Sequence, residues 1–447
     1  MTRTMKDSGI EWIGEIPEDW KIDKMNRICS VITDYVASGS FADLAENVKY
    51  LDEPDYAMLV RTMDVSNKGY SSKPVYINEH AYNYLKNSNL FGGELLLPNI
   101  GGVGEIYIVP KLYDKMSLAP NSIIIKTNYY DKYYYYFFYC EAGALSIKQI
   151  SQSTAQLKFN KTQFKQIKGC VPPLLEQQKI ADFLDEKCSH IDSILEKTKA
   201  SIDECKQLKQ SVITQAVTKG IKPNRPMKDS GIEWIGEIPE DWDISKVKRE
   251  FSYGSGLPIT KENLIENGVP VISYGQIHAK FNTGVKLDEK LYRYVSEDYL
   301  ETNSNSLVNK YDFIFADTSE DLEGCGNCAY ISEQMTLFAG YHTIILHSKK
   351  AQDNRYIAYL FKSPMWRNQI TSRVTGIKVF SISKKILNAC TLLIPSFAEQ
   401  IEIANYLDLK CSEIDKLITK KEQLIKELET YKKSLIYEYV TGKKEVI

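Results

Sequence analysis

The sequence has no run of about 18 apolar residues, so nothing in it reads as a membrane-spanning helix. Its first residues, MTRTMKDSGIEW, lack the apolar stretch of a signal peptide, and the expected compartment is the cytoplasm. Nine cysteines fall at irregular spacings in a chain of 447 residues, which suits buried free thiols better than a disulfide framework. Excess positive charge is missing too, since 56 Lys and Arg face 58 Asp and Glu for a net charge of −2. A uniformly basic nucleic-acid binder is therefore excluded, and any basic surface must be local. Catalytic motifs are equally scarce. No GxxxxGK[ST] phosphate loop occurs. Pro172-Pro173 follows Val171, not the Asn of an adenine-methyltransferase Asn-Pro-Pro-Phe or Tyr tetrad, and no Glu-x-Lys follows closely on Pro54-Asp55 as one nuclease arrangement needs. With 43% apolar and 26% charged residues the chain is of soluble globular composition, and its length calls for two or more domains.

What the chain does have is a repeat. MKDSGIEWIGEIPEDW stands at 5–20 and again, letter for letter, at 227–242. A diverged match joins 171–220 to 394–443, pairing Glu176 with Glu399, Cys188 with Cys411, Ile191 with Ile414 and Asp192 with Asp415. Between these anchors, 21–170 and 243–393 scarcely match. The repeated parts read as frame, and the divergent parts as whatever must differ between the halves.

Each frame segment reads as a long helix. Proline precedes it, and Glu176 and Glu399 fall in the first turn, where the helix dipole favours negative charge. Apolar or small residues recur at Leu184, Cys188, Ile191, Leu195, Thr198, Ile202, Cys205, Leu208, Val212 and Ala216. The second copy has Leu407, Cys411, Ile414, Ile418, Lys421, Ile425, Leu428, Tyr431, Leu435 and Tyr439. Steps of three and four make a narrow seam, and a helix about 60 Å long cannot bury such a stripe alone. The two helices are expected to pair antiparallel, closed by Gly220 with Pro223 and by Gly442. Trp12, Ile13, Ile16 and Trp20 around Pro17 predict an extended structural strap.

Charge sorted by position is the most informative signal. Residues 142–175 and 354–398 contain no Asp or Glu. The first stretch holds Lys148, Lys158, Lys161, Lys165 and Lys168; the second holds Arg355, Lys362, Arg367, Arg373, Lys378, Lys384 and Lys385. Both end at the paired Glu176 and Glu399. A surface facing phosphates gathers cations and excludes carboxylates. Side chains able to read base edges lie among them, namely Gln152, Ser153, Gln156, Asn160, Asn368, Gln369 and Ser372. The expected DNA contacts are Lys148, Gln152, Ser153, Gln156, Lys158, Arg367, Arg373 and Lys378, joined near strand ends by Arg61 and by Tyr274, Gly275 and Gln276. The aromatic tract at 129–140, YYDKYYYYFFYC, is of a kind that stacks single-stranded bases. It follows the strand-like NSIIIKT, however, and is nearly continuous in aromatics, so packing is its expected role. Cys325, Cys328, His342 and His347 approach a zinc-finger spacing. The histidines bracket TIIL, a strand-like run on which they point to opposite faces, so no metal site is expected. The Gly101, Gly102 and Gly104 turn reads as a strand-to-strand connection, not a phosphate loop.

The order of these parts, and above all the two SGIEWIGEIPEDW straps with VPPLLEQQKIADFLD and IPSFAEQIEIANYLD, resembles the specificity subunit of type I restriction–modification enzymes over essentially the whole chain. GELLLPNIGGVGEIYIV and YDFIFADTSEDLEGCGNCAYI resemble turn-bounded strands of that family's recognition domains. The resemblance implies an α+β, pseudo-twofold chain of target-recognition domains at 1–170 and 221–393, with spacer helices at 171–220 and 394–447. Each domain would read one half of an asymmetric split DNA target, and the spacer would fix the gap. It further implies a non-catalytic chain with two methyltransferase subunits and translocase–nuclease subunits as partners. S-adenosylmethionine, ATP and Mg would belong to those partners, with no cofactor in this chain. A scaffold that binds only proteins, or a stand-alone DNA-binding protein, are the competing readings; only the first fails to account for the paired basic stretches.

Overall fold

The strand Ser122–Thr127 shows how the fold is organised. Its SIIIKT sequence is apolar on both faces, and the faces bury different things. Ile123 and Ile125 pack with Tyr133, Phe137 and Phe138, whereas Ile124 packs with Val60, Leu96 and Leu118. Two-residue alternation splits one hydrophobic run between two cores. The strand Thr343–Ser348 does the same: Ile344 and Leu346 face Tyr356, Phe361 and Trp366, and Ile345 faces Ile314 and Leu337.

The computed structural model describes residues 3–66, 73–153, 156–233, 235–376 and 378–446. It divides into two units, Met1–Thr198 with Gln423–Ile447, and Lys199–Glu422. In the first, an antiparallel sheet runs in the order Cys29–Asp34, Ser122–Thr127, Leu95–Pro98, Tyr107–Ile108. A second sheet sets Ala57–Val60 parallel to Met116–Leu118, with Tyr76–Ile77 and Asn89–Leu90 at its edges. Helices Asp131–Tyr139 and Glu141–Ile150 cover the other face of the first sheet. In the second unit the corresponding sheet runs Phe251–Ser255, Thr343–Ser348, Phe313–Ala316, Cys328–Tyr330, with helices Asn354–Lys362 and Pro364–Thr371. Segments whose sequences scarcely match thus share one plan.

The long helices are Leu174–Lys219 and Phe397–Val440. Within the first unit, Lys432 Nζ lies 2.6 Å from Asp192 and the rings of Phe183 and Tyr439 are 4.5 Å apart. Within the second, Lys209 Nζ lies 2.7 Å from Asp415. Early residues of one helix meet late residues of the other both times, so the helices pair antiparallel. Leu184, Ile191, Leu195, Ile202 and Leu407 are buried, while Ile414, Ile418 and Ile425 are half-buried. Leu208 and Tyr431 depart from the expected stripe. They hold equivalent places in the repeat and are 55% and 56% exposed, because steps of three drift round a 3.6-residue helix.

The repeated frame is fastened by bonds that also repeat. Trp20 Nε1 donates to Glu176 Oε2 at 2.9 Å, with Arg3 on the same carboxylate; Trp242 Nε1 donates to Glu399 Oε2 at 3.1 Å, with Arg225 on it. The two glutamates therefore do more than face a helix dipole. The amides of Gln177 and Gln400 donate to Pro172 O and Pro395 O and accept from the backbone at Tyr130 and Asp353. This is the physical content of the shared Glu-Gln pair. The strap is a hairpin, not an extended segment: Met5–Asp7 pairs with Glu15–Pro17, and Gly9 and Gly14 take φ of 66° and 68° to turn it. Trp234 of the second strap lies outside the described residues.

The aromatic tract is the helix Asp131–Tyr139, with Tyr133, Tyr134, Tyr136, Phe137 and Phe138 buried. Tyr133 Oη donates to Val440 O at 2.8 Å and Tyr136 Oη to Asp185 at 2.8 Å, so the tyrosines tie this helix to both long helices. All nine cysteines are buried free thiols. Burial pushes the Cys188 and Cys411 thiols up to about 11.

Candidate nucleic-acid interface

In the first unit the strand Leu95–Pro98 runs out at Asn99, where the acid-free stretch meets the sheet. Phe159 N donates to Asn99 O, Asn99 Nδ2 donates to Phe159 O, and Ile100 bridges Lys158. The hairpin Gln152–Ser153 with Leu157–Lys158 stands beside this junction, its register Gln152 opposite Lys158. Gly101 and Gly104, at φ of 81° and 96°, turn the chain past it. A methyl added at Gly101 would lie 3.5 Å from Gln156 Nε2, and one at Gly104 would lie 3.3 Å from Lys148 Cε. Lys148 and Gln156 therefore lie against one turn, whose positive φ angles are what favour the glycines. Arg61 lines a concavity of about 650 Å³ with Gly101, Gly102, Glu105, Tyr107 and Asn121. Its guanidinium forks onto Asp64, at 2.8 and 2.9 Å, which raises its pKa. The side chains of Gln152 and Ser153 lie outside the described residues.

The second unit repeats the junction with other residues. Ile382 N donates to Asp317 O, and Thr318–Ser319 pairs with Phe380–Ser381. Arg373 and Lys378 are exposed in the segment that leads to this pairing. Tyr274 stands with its ring 5.5 Å from His342 and 5.6 Å from Tyr341. Gln276 Oε1 accepts the Ser273 amide and caps the short helix Tyr274–Ile277.

The structure gathers Arg61, Lys148, Gln156 and Lys158 about one glycine turn, and Tyr274, Arg373 and Lys378 fall among the elements of the second junction. Arg367 has a different setting. Its guanidinium donates to Glu323 O, Cys325 O and Asn327 Oδ1, and burial lowers its pKa. It shapes the 323–327 loop from within. Two amides expected among the base readers are otherwise engaged. Asn160 caps a helix by accepting from Gln163 N, and Gln369 is buried with both amide atoms bonded to Thr391. Arg355 is tied to a long helix through Asp408 and to its own helix cap Asp353, and Lys161 is tied to the sheet through Asp34 at the end of the strand Cys29–Asp34. Lys148, Lys158, Arg373 and Lys378 form no ion pair among the described residues, so their charge is available to phosphates.

The zinc-like quartet is taken apart by its partners. His347 Nδ1 lies 2.8 Å from Asp312, His342 Nδ1 lies 3.3 Å from Asp317, and burial pushes the Cys328 thiol up to about 12. Among the described residues no three His, Cys, Asp or Glu side chains are grouped to hold a metal ion, and no helix is long and apolar enough to cross a membrane.

Residues 17–204 and 239–430 each match the type I restriction modification DNA specificity domain. The type I restriction enzyme MjaVIII specificity subunit of Methanocaldococcus jannaschii is 26% identical over 287 residues, 63% of each chain. The EcoKI specificity subunit of Escherichia coli is 24% identical over 194 residues, 42% of this chain and 40% of that one. The matches thus span less than two thirds of these curated relatives. Among solved structures, a chain from a type I R-M system studied for its complex assembly and conformational transition superposes with a TM-score of 0.71 at 11% identity, covering 96% of this chain and 99% of its own. The HsdS subunit of Thermoanaerobacter tengcongensis superposes with a TM-score of 0.53 at 12% identity, covering 96% and 98%. At such identities the superpositions speak for the fold.

Proposed function

The chain belongs to the type I restriction modification DNA specificity family, and on that premise we propose that it is the DNA-recognition subunit of a type I restriction–modification complex. The carrying observation is the pair of strand-end junctions, one in each unit, where an acid-free stretch meets a sheet and Lys148, Lys158, Arg373 and Lys378 stand without carboxylate partners among the described residues. In this reading the recognition domains comprise 1–170 and 221–393, and each reads one half of an asymmetric, split duplex target. Their different junction residues are what makes the target asymmetric. Lys148, Lys158, Arg373 and Lys378 meet phosphates, whereas Gln152, Ser153, Gln156 and Tyr274 reach base edges, and Gln276, its Oε1 taken by the Ser273 amide, holds the turn that carries Tyr274. Arg61 and Arg367 hold the loops that carry those contacts.

The paired helices set the gap between half-sites and dock two methyltransferase subunits, with translocase–nuclease subunits completing the complex in the cytoplasm. Chemistry belongs to those partners, which carry S-adenosylmethionine, ATP and Mg; this chain contributes recognition and no catalytic group. The test is a genome-wide map of N6-methyladenine with and without the gene. A split, asymmetric motif is expected to vanish on deletion and return on complementation. An unchanged map would sink the reading.

A further inference from the structure

Two residues that stand where glycine would be unstrained occupy the same place in the two units. Among the described residues only Asn121, Asn224, Tyr311 and His342 combine a side chain with positive φ. Asn121, at φ 71°, immediately precedes the strand Ser122–Thr127, and His342, at φ 54°, immediately precedes the strand Thr343–Ser348. Two backbone hydrogen bonds in their surroundings correspond. Asn99 N donates to Asn121 O at 3.0 Å, and Asp317 N donates to His342 O at 3.1 Å. Asn99 O then accepts from Phe159 N, as Asp317 O does from Ile382 N, at the point where each acid-free stretch joins its sheet. Both side chains are exposed, and each lines a concavity: Asn121 that of Arg61 and Gly101, His342 one of about 530 Å³ with Asp317, Ser381 and Lys384. Most positive-φ positions among the described residues are glycine, as at Gly101 and Gly104; Asn224 and Tyr311 are the other exceptions, and neither immediately precedes one of these central strands. At Asn121 and His342 the chain keeps an exposed side chain, a different one in each unit, where the acid-free stretch joins the sheet, and non-glycine residues held at positive φ cluster at functional sites.

We propose that Asn121 and His342 are equivalent base-reading residues, one for each half of the target, an inference that rests on the DNA-recognition reading above. An asparagine amide offers a donor and an acceptor in the geometry that pairs with adenine N6 and N7 in the major groove. His342 is backed by Asp317, whose Oδ1 lies 3.3 Å from Nδ1. Asp317 Oδ1 takes no hydrogen bond among the described residues, so neither imidazole nitrogen is committed, and one can accept from an exocyclic amino group of adenine or cytosine. Neither residue could be singled out from the sequence as a DNA contact, because nothing in the letters announces a positive φ.

The same backbone conformation supplies a clean test, since Asn121→Gly and His342→Gly remove the side chain while easing the turn. The full chain with its methyltransferase partners is assayed against a short duplex carrying its own methylated motif, a scrambled duplex, and the genome. The Asn121→Gly variant is expected to lose about ten-fold in affinity for the motif duplex. It should also relax one position of one half-site and bind the scrambled duplex as before. His342→Gly is expected to do the same in the other half-site only. Asn121→Asp, which tolerates the same φ but loses the amide donor, is expected to move preference from adenine towards cytosine. Unchanged motifs and affinities, or equal losses on both duplexes, would overturn the assignment while leaving DNA recognition standing. A wild-type complex that does not prefer the motif duplex would overturn both.

Discussion

The most informative single residue in the frame is Glu399. Its carboxylate is almost wholly buried, 3% exposed, and it takes Arg225, itself 13% exposed, and the Trp242 indole N–H. Alanine there leaves a guanidinium facing a cavity, with only the exposed Asp241 as partner, and an indole donor with none. Breaking a buried pair of this kind costs about 3–5 kcal/mol. Glu176 makes the equivalent contacts, but it and Arg3 are 20% and 22% exposed, so water compensates more of the loss. Glu176→Ala is expected to cost about 2 kcal/mol. Urea unfolding of the two variants should therefore rank Glu399→Ala as the more damaging. Equal or reversed losses would mean that burial does not set the worth of this ion pair. Both residues carry a signal in the sequence, since their Glu-Gln pairs repeat. Their partners Trp20 and Trp242 repeat as well, but nothing in the letters joins them to the glutamates. The contact of Glu176 with Trp20 spans 156 residues, and no local periodicity reaches that far.

At the scale of elements, the helices were legible because period and repetition reinforce each other, the straps were legible as a repeat but not as hairpins, and the basic edges were legible only as charge. Amides illustrate the difference. Gln156, Asn160 and Gln369 look alike as letters, yet one stands beside a glycine turn, one caps a helix and one ties off a strand end. Which amide is free depends on where backbone donors run out, and that is settled only when the strands meet. The same holds for the seam. Leu407 is fully buried while Tyr431, on the same stripe, is 56% exposed. Leu407→Ala is expected to cost about 3 kcal/mol through lost burial and a residual cavity. Tyr431→Ala should fall within about 0.5 kcal/mol of the parent. Comparable denaturation midpoints for the two would show that the stripe, not the burial, governs the pairing.

For the whole molecule, the decisive fact is that the first unit is not contiguous: Met1–Thr198 is completed by Gln423–Ile447. Leu435, Ile436 and Val440 belong to its core, Tyr133 donates to Val440 O, and Tyr437 donates to the backbone of Trp12 and Ile13. The second unit, Lys199–Glu422, closes on itself in sequence. A chain ended after Glu422 should therefore be damaged far from the cut in sequence. Its strap and the helix Asp131–Tyr139 lose the partners that bury them, although all their own residues remain. Hydrogen exchange should then show protection falling in Asp131–Tyr139 while Thr343–Ser348 stays protected, since the strands flanking the latter, Phe251–Ser255 and Phe313–Ala316, are intact. If protection fell instead in Thr343–Ser348, or held in both, the last 25 residues would not be the part that completes the first unit. The expected pattern places the end of the chain in the same folding unit as its beginning. On the proposed function, a lesion in either one should then impair reading of the same half-site.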